Sequence, residues 1–244
     1  MAKLAIANWK MNGLANEGRV LVHELSEKLK RYEHNVIICP PFTVISQVGE
    51  VMRGTGFALG AQDCHHLESG AYTGDISATM LADIRCNFVI AGHSERRIYH
   101  HESSDLVAKK VVASIKSGLT PIVCIGENLS EREQGNHFIR ISDQLLGSIP
   151  DNMDFAEIVI AYEPVWAIGT GKVATSDNIS EMHNHIKAEL KKRFPANAFQ
   201  VVYGGSVNKD NATEILSLAE VDGVLVGGAS LKAEDFSQIV IASL

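Results

Sequence analysis

The sequence predicts an α/β fold, a closed (β/α)8 barrel that forms one domain over residues 1–244. Eight short apolar runs recur along the chain, and amphipathic stretches separate them. The chain is also close to the roughly 250 residues of a typical barrel of this kind. An open, doubly wound sheet is the rival arrangement, but eight repeats in 244 residues suit a closed barrel better. No linker or low-complexity tract divides the chain.

The eight predicted strands are rich in Val, Ile and Ala and are nearly continuous in apolar character. Parallel strands that are covered on both faces have this composition, whereas half-exposed strands alternate. In chain order the strands are Lys3–Asn8, Val36–Pro41, Phe57–Ala61, Phe88–Gly92, Pro121–Ile125, Ile158–Tyr162, Gln200–Gly204 and Gly223–Gly227.

The predicted helices show apolar residues at helical spacing. Glu17–Arg31, for example, places Val20, Leu21, Leu25 and Leu29 on one face. The others are Asp75–Arg85, Ser104–Ser117, Thr175–Arg193, Asn208–Leu218 and Lys232–Ala242. Strands that alternate with helices indicate parallel βαβ units with right-handed crossovers.

Composition and charge exclude several classes of protein. With 45% hydrophobic residues the chain is not disordered, and a net charge of −7 without a basic run argues against nucleic-acid binding. The four cysteines are scattered and form no C-x-x-C pair, which indicates reduced thiols. The sequence lacks a signal-peptide pattern and any apolar run of about 18 residues. We therefore expect a cytoplasmic protein that binds neither membranes nor nucleic acid.

Polar residues and glycines follow five of the predicted strands. In a (β/α)8 barrel the carboxyl ends of the strands form the active-site face, so these residues should meet there. They are Asn8 and Lys10, His93-Ser94-Glu95, Glu163, Gly205 and Ser206, and Gly227 and Gly228.

Glu163 follows the sixth strand and is a candidate general base, although a solvated loop glutamate is the plainer alternative. The segment 163–172 is apolar for a surface loop, which predicts a lid that excludes water. Part of it imitates nucleotide motifs. The G-x-G-x-x-A match at 169–174 does not follow a strand directly, and a P-loop would need glycine in place of Trp166 and a hydroxyl residue in place of Val173.

His93 lies where a strand ends and a helix or turn begins. A helix N-terminus disfavours imidazolium, so the ring would be neutral and could donate a hydrogen bond to a carbonyl. A structural histidine and a metal ligand are the alternatives; the chain has ten histidines but no H-E-x-x-H motif, and we expect no metal. Lys10 would attract an anion and stabilise developing negative charge, unless it is only a solvated lysine.

Two glycine-rich turns follow the last two strands, Gly204-Gly205-Ser206 and Gly227-Gly228. Barrels commonly bind phosphate at these two loops, through backbone N–H groups that point at the anion. Ordinary turn glycines are the alternative for either pair. Their presence at both expected strand ends favours a phosphate site.

Taken together, these motifs resemble the triosephosphate isomerase family over essentially the whole chain and in the family's order. The motifs are Ala7–Asn12 (ANWKMN), Gly92–Arg97 (GHSERR), Cys124–Glu127 (CIGE), Ala161–Lys172 (AYEPVWAIGTGK), Tyr203–Ser206 (YGGS) and Leu225–Ala229 (LVGGA). The resemblance implies a TIM barrel that interconverts dihydroxyacetone phosphate and D-glyceraldehyde 3-phosphate without a cofactor.

The resemblance also implies a role for each residue that matches. Glu163 would be the base and His93 the neutral electrophile, while Asn8 and Lys10 would contact the substrate and Glu95 would support Lys10. Ser94 would support the site as well, and Tyr203 and Ser206 would hold the closed lid. The phosphate-binding positions would be Gly169, Ser206, Gly227 and Gly228.

Members of this family are usually homodimers, and the loop 70–75 is similar to the loop that enters the partner subunit. Thr73 would approach the partner's Asn8 and the partner's Lys10.

Two other functions compete with this prediction: a catalytically inert phosphate-binding barrel and a barrel enzyme for another sugar phosphate. The complete set of polar residues argues against the first, and the short chain leaves little room for a larger substrate.

Two positions depart from the family pattern. Asp75 replaces a glutamate that reaches an arginine across the interface, which here would be Arg96, and the shorter side chain puts that contact in doubt. Lys187 replaces an arginine that pairs with the aspartate matching Asp222, and a lysine cannot form the same two-pronged pair.

Overall fold

The computed structural model describes residues 3–30, 35–151, 157–168, 173–197 and 199–243. Eight parallel strands form a closed barrel in chain order, and the last strand pairs with the first. The strands are β1 (Leu4–Asn8), β2 (Val36–Cys39), β3 (Ala58–Ala61), β4 (Phe88–Ala91), β5 (Thr120–Ile125), β6 (Ile158–Tyr162), β7 (Phe199–Tyr203) and β8 (Gly223–Val226). The predicted (β/α)8 barrel is therefore confirmed, and each strand lies within two residues of its predicted bounds.

Ten α-helices lie within the described ranges, together with 3-10 turns at Val165–Ala167 and Gly228–Leu231. The helices are α1 (Ala15–Leu29), α2 (Ile45–Val51), α3 (Ala78–Asp83), α4 (Ser94–Tyr99), α5 (Ser104–Lys116), α6 (Leu129–Glu133), α7 (His137–Ser148), α8 (Ser176–Arg193), α9 (Ala212–Ser217) and α10 (Ala233–Ala242). The helices α2, α6 and α7 were not predicted, and α4 was predicted only as a possible start after His93. Arg31, the predicted end of α1, lies outside the described residues.

Two predicted helices begin too early, and a side chain explains each case. The Ser77 hydroxyl accepts a hydrogen bond from the N–H of Met80 and so caps α3, which starts at Ala78 rather than Asp75. The Asn208 side chain accepts from the N–H groups of Asp210 and Asn211. That turn delays the start of α9 to Ala212.

The strands bury side chains on both faces, as their composition predicts. The inward side chains fill the barrel interior, and the outward side chains form a second core beneath the helices. The interior cluster is Ile6, Ile37, Cys39, Ile90, Ile122, Cys124, Val159, Ala161, Val202 and Leu225. All four cysteines are buried and carry free thiols. In the parts of the chain that the structure describes, we find no helix with the length and apolar character that crossing a membrane requires.

Candidate active site

A cavity of about 230 Å³ lies at the carboxyl ends of the strands. Pockets for drug-sized ligands usually measure about 300–1,000 Å³, so this one suits a smaller molecule. Its lining is Asn8, Lys10, His93, Glu163, Ile168, Gly204, Gly205, Ser206, Val207, Leu225, Gly227 and Gly228. The structure thus brings together the predicted residues from five strand ends. Gly169 lies outside the described residues.

Glu163 directly follows β6, and its side chain is buried beside α4. One carboxylate oxygen accepts a hydrogen bond from the N–H of Ser94 at 2.9 Å, and the other lies 2.9 Å from Nε2 of His93. The backbone of Glu163 packs tightly against Gly126, where a Cβ would lie only 1.8 Å from the Glu163 carbonyl oxygen. Any side chain at position 126 would therefore displace the candidate base.

Opposing influences act on the pKa of Glu163. Burial raises it, whereas the imidazole of His93, the N–H of Ser94 and the ammonium of Lys10 lower it, and the net direction is downward. Glu163 is accordingly a carboxylate at neutral pH, the form that a general base requires.

His93 caps the N-terminus of α4, as the sequence predicts. Its Nδ1 accepts a hydrogen bond from the N–H of Glu95 at 3.2 Å. Because a backbone N–H can only donate, Nδ1 carries no proton, and the neutral ring holds its proton on Nε2, which faces Glu163. Burial lowers the pKa of His93, but the nearby carboxylates of Glu163 and Glu95 raise it, and the net direction is upward. A helix N-terminus alone would lower the pKa of His93, as the sequence predicted. The pKa is raised instead because the Glu163 carboxylate lies beside the ring, which the sequence does not reveal.

Lys10 adopts a left-handed backbone conformation, with φ of +54°. Its N–H donates to the side-chain oxygen of Asn8 at 3.0 Å, and its ammonium lies 2.5 Å from a carboxylate oxygen of Glu95. The lysine side chain passes over Gly227, where a Cβ would lie 3.2 Å from Cε of Lys10. Glycine at 227 therefore lets the lysine reach the cavity. At the neighbouring Gly228 the space beside the backbone is open.

The start of the predicted lid, up to Ile168, packs against the barrel mouth. The Ser206 hydroxyl donates to the carbonyl oxygen of Ala167 at 2.5 Å. The indole N–H of Trp166 and the hydroxyl of Tyr162 both donate to one oxygen of Glu127, at 2.9 and 3.1 Å. The remainder of the predicted lid, residues 169–172, lies outside the described residues.

Two residues support the site in roles that were not predicted from the sequence. Gln62 directly follows β3 and donates from its side-chain amide to the carbonyl oxygens of Lys10 and Cys39, at 2.8 and 2.9 Å. The rule that found the other candidates, a polar residue after a strand, also applies to it. Arg97 donates to the carbonyl oxygens of Gly92 and Cys124, at 2.8 and 3.0 Å, and so joins the ends of β4 and β5. Arg97 is part of the motif Gly92–Arg97, but the sequence does not show which groups its side chain contacts.

The two departures from the family pattern are accommodated within the chain. Arg96 pairs with Glu102 at 2.6 Å and with Asp63 at 2.9 Å, both in its own chain. Asp75 lies 3.7 Å from His65. The ammonium of Lys187 lies 2.8 Å from each carboxylate oxygen of Asp222, so a single cation spans both oxygens where a two-pronged guanidinium was expected.

The comparisons with known proteins agree with one another. The family model described as "Triosephosphate isomerase" matches residues 3–243. A triosephosphate isomerase from Gluconacetobacter diazotrophicus is 47% identical over all of this chain and 99% of its own length, and one from Alkaliphilus oremlandii is 48% identical over 98% and 99%. The crystal structure of triosephosphate isomerase from Bartonella henselae superposes with a TM-score of 0.91 at 39% identity, over 99% of each chain.

Proposed function

The chain belongs to the triosephosphate isomerase family, and we propose that Glu163, His93 and Lys10 carry out its reaction in the cavity at the barrel mouth. The enzyme interconverts dihydroxyacetone phosphate and D-glyceraldehyde 3-phosphate in glycolysis and gluconeogenesis. The reaction moves protons within one substrate and leaves its overall oxidation level unchanged. It therefore consumes no redox cofactor.

Glu163 acts as the base. Its carboxylate removes a proton from C1 of dihydroxyacetone phosphate, and the electron pair of that C–H bond forms the double bond of an enediolate. The same carboxylate, now protonated, returns the proton to C2 and produces the aldehyde. The support is its burial in the cavity wall and a pKa whose net direction is downward, which keeps the base ionised.

His93 acts as the electrophile. Its Nε2–H donates to the carbonyl oxygen at C2 and passes a proton to it as charge develops, and the ring then recovers a proton from the hydroxyl at C1. The Nδ1 contact with the N–H of Glu95 supports the neutral tautomer that this role needs. The Glu163 carboxylate that raises the pKa of His93 turns toward the substrate during the reaction, which removes the main cause of that rise.

Lys10 stabilises the negative charge of the enediolate and attracts the phosphate dianion, while Asn8 contacts the substrate and Glu95 orients the ammonium. Gly169, Ser206, Gly227 and Gly228 bind the phosphate through backbone N–H groups, since the Ser206 hydroxyl already donates to the carbonyl oxygen of Ala167. The open backbone at Gly228 and the close approach of Lys10 at Gly227 support this placement. Closure of the segment from Val165 onward excludes water from the cavity. The reaction needs this protection because an exposed enediol phosphate eliminates phosphate.

The observation that carries this proposal is the 2.9 Å approach of Glu163 to His93 in one small cavity that also contains Lys10 and the two glycine turns. A catalytically inert phosphate-binding barrel would have no need for this buried acid–base pair.

We also propose that the protein is a cytoplasmic homodimer that inserts the loop around Thr73 near the partner's site. The exposure of that whole loop in the single chain supports this reading.

A coupled assay on D-glyceraldehyde 3-phosphate tests the proposal, with a chelator present, no metal added, and no cofactor other than the reduced nicotinamide that the coupling dehydrogenase uses. We expect turnover that inorganic phosphate inhibits competitively. Phosphate binding without turnover would indicate the inert barrel instead.

A further inference from the structure

The backbone of Lys10 is held in an unfavourable conformation. Only Lys10, Arg85 and His101 combine a positive φ with a side chain among the described residues. A left-handed conformation is unfavourable for a residue that has a Cβ atom, so the surroundings must hold it in place. At Lys10 this conformation decides where the ammonium points.

Side chains satisfy both ends of the Lys10 backbone. Its N–H donates to Asn8, which the family motif already includes, and its carbonyl oxygen accepts from the amide of Gln62 at 2.8 Å. The same amide group donates its second hydrogen to the carbonyl oxygen of Cys39 at 2.9 Å, so both of its hydrogens are used. Gln62 thereby ties the chain after β1 to the ends of β2 and β3.

Gln62 does not line the cavity that contains Lys10, His93 and Glu163. Lys10, by contrast, lines the cavity, and its ammonium lies between the Glu95 carboxylate and the backbone of Gly227. We propose that Gln62 is a positioning residue for Lys10: its side-chain amide holds the left-handed turn that aims the ammonium at the substrate. This inference rests on the proposed function, because it requires Lys10 to act on the bound substrate.

A double-mutant cycle tests the inference. Gln62→Met keeps the length and shape of the side chain but removes both donors, and we expect it to lower kcat/KM about tenfold, the scale of one or two hydrogen bonds. It should also weaken competitive inhibition by inorganic phosphate. In a Lys10→Met background the same substitution should change kcat/KM by less than about twofold, because the charge that Gln62 aims is gone. Gln47→Met, at an exposed glutamine on α2, is the matched control.

The cycle separates the possible failures. An equal loss of kcat/KM from Gln62→Met with and without Lys10 would overturn the positioning role and leave the proposed function intact. A Lys10→Met enzyme with normal kcat/KM would instead contradict the role of Lys10 itself. All comparisons use protein of the same oligomeric state by gel filtration.

Gln62→Glu provides a second readout that does not depend on Gln62→Met folding well. Its ionised carboxylate would face two carbonyl oxygens and repel them, whereas the protonated form could donate one hydrogen bond. The ratio of kcat/KM between this variant and the parent enzyme should therefore rise as the pH falls. A ratio that is constant with pH would contradict the inference.

Discussion

At the scale of single residues, burial opposes the charge of both Glu163 and His93, and each reduces that cost for the other. Burial alone would raise the pKa of the carboxyl group and lower the pKa of the imidazole. Their 2.9 Å approach reverses both directions. The resting site therefore keeps a buried base ionised, and the substrate has to replace the contact between His93 and Glu163.

The length of the Glu163 side chain should matter as well as its charge. Glu163→Asp keeps the carboxylate but withdraws it by one methylene, and we expect kcat to fall on the order of 10²-fold or more, since a positioned general base contributes about 10²–10⁴-fold. The inhibition constant of inorganic phosphate should change by less than about twofold, because the glycine turns remain. Steady-state kinetics with phosphate as inhibitor measures both quantities.

Glu24→Asp, at an exposed glutamate of α1, is the matched control and should leave both constants unchanged. Near-normal turnover of Glu163→Asp would remove Glu163 from its role as the base. Loss of phosphate inhibition along with turnover would indicate a collapsed site instead.

The sequence identifies site residues that follow a rule and misses those that depend on three-dimensional contacts. Asn8, Lys10, His93 and Glu163 each come at or just after the end of an apolar strand, and barrel geometry makes such positions meet. The pKa direction of His93 was beyond prediction, because it depends on the resting rotamer of Glu163. The role of Arg97 was missed for a similar reason, since one of its main partners is the carbonyl oxygen of Cys124 on the next strand.

At the scale of the elements, α8 carries a buried histidine that should make stability depend on pH. His183 is fully buried, donates from Nδ1 toward the carbonyl oxygen of Glu220 at 3.3 Å, and has a pKa that burial lowers to about 4. The unfolded chain takes up a proton at this residue below about pH 6.5, while the folded chain does so only below about 4. Stability is therefore lost as the pH falls from about 6.5 toward 4.

Replacing His183 should remove this part of the pH dependence. His183→Asn keeps a donor near Glu220 but cannot be protonated. Between pH 7 and pH 5 the free energy of unfolding should fall less in this variant than in the parent chain, by about 2 kcal/mol. This figure is about 1.5 pH units below the unfolded-state pKa, at 1.36 kcal/mol for each unit. Urea unfolding at both pH values and one protein concentration measures the difference.

His23→Asn on the exposed face of α1 is the control, since an exposed histidine has no such penalty. Its pH dependence should match the parent chain. An unchanged pH dependence in His183→Asn would show that His183 accepts a proton in the folded state.

The pair between Lys187 and Asp222 joins α8 to the chain just before β8. Asp222 also accepts the N–H of Val201, so its carboxylate links three segments. Because the pair is partly exposed, Lys187→Met should lower the free energy of unfolding by only about 1 kcal/mol. Lys187→Arg should match or exceed the parent stability, because a guanidinium can contact both oxygens with separate N–H groups.

Urea unfolding of the two variants beside Lys191→Met, an exposed lysine on the same helix, provides the measurement. A Lys187→Met variant as stable as Lys191→Met would show that the pair contributes nothing. A destabilised Lys187→Arg would show that the site is shaped for an ammonium.

Most elements with a regular pattern were predicted, but α7, an amphipathic helix of twelve residues, was missed although it is long enough to show one. The strands were found because eight buried apolar runs leave little ambiguity, and α1, α5, α8 and α10 were found by their 3.6-residue spacing. The short helices α2 and α6, of seven and five residues, offer too few turns for a periodic pattern. The capping box of Asn128 and Glu131 at the start of α6 is a local signal that could have located it.

At the scale of the whole molecule, barrel closure creates the site. β8 pairs with β1, and the N–H of Lys3 donates to the carbonyl oxygen of Ser243 at 3.1 Å. Closure therefore brings Lys10 beside Gly227, although more than two hundred residues separate them. The sequence can suggest closure through the number of repeats, but it contains no direct sign that the first and last strands pair.

The loop around Thr73 is exposed along its whole length. Every residue from Leu67 to Asp75 is exposed, including the large side chains of Leu67 and Tyr72, and Met11 near the barrel mouth is 96% exposed. A partner subunit that covered this loop would remove these apolar side chains from water. If the partner's loop completes the site beside Asn8 and Lys10, activity per chain should fall on dilution as subunits separate.

We expect activity per chain to decline at nanomolar protein concentration in a carrier-containing buffer that prevents adsorption, and to recover when the sample is concentrated. Thr73→Arg adds bulk and charge at the loop tip, so its decline should begin at a concentration at least about tenfold higher. Arg53→Lys, at an exposed residue near the far end of the barrel, should behave like the parent chain. A parent chain that stays fully active as a nanomolar monomer would mean that one barrel holds the complete site, and that the exposed loop serves another purpose.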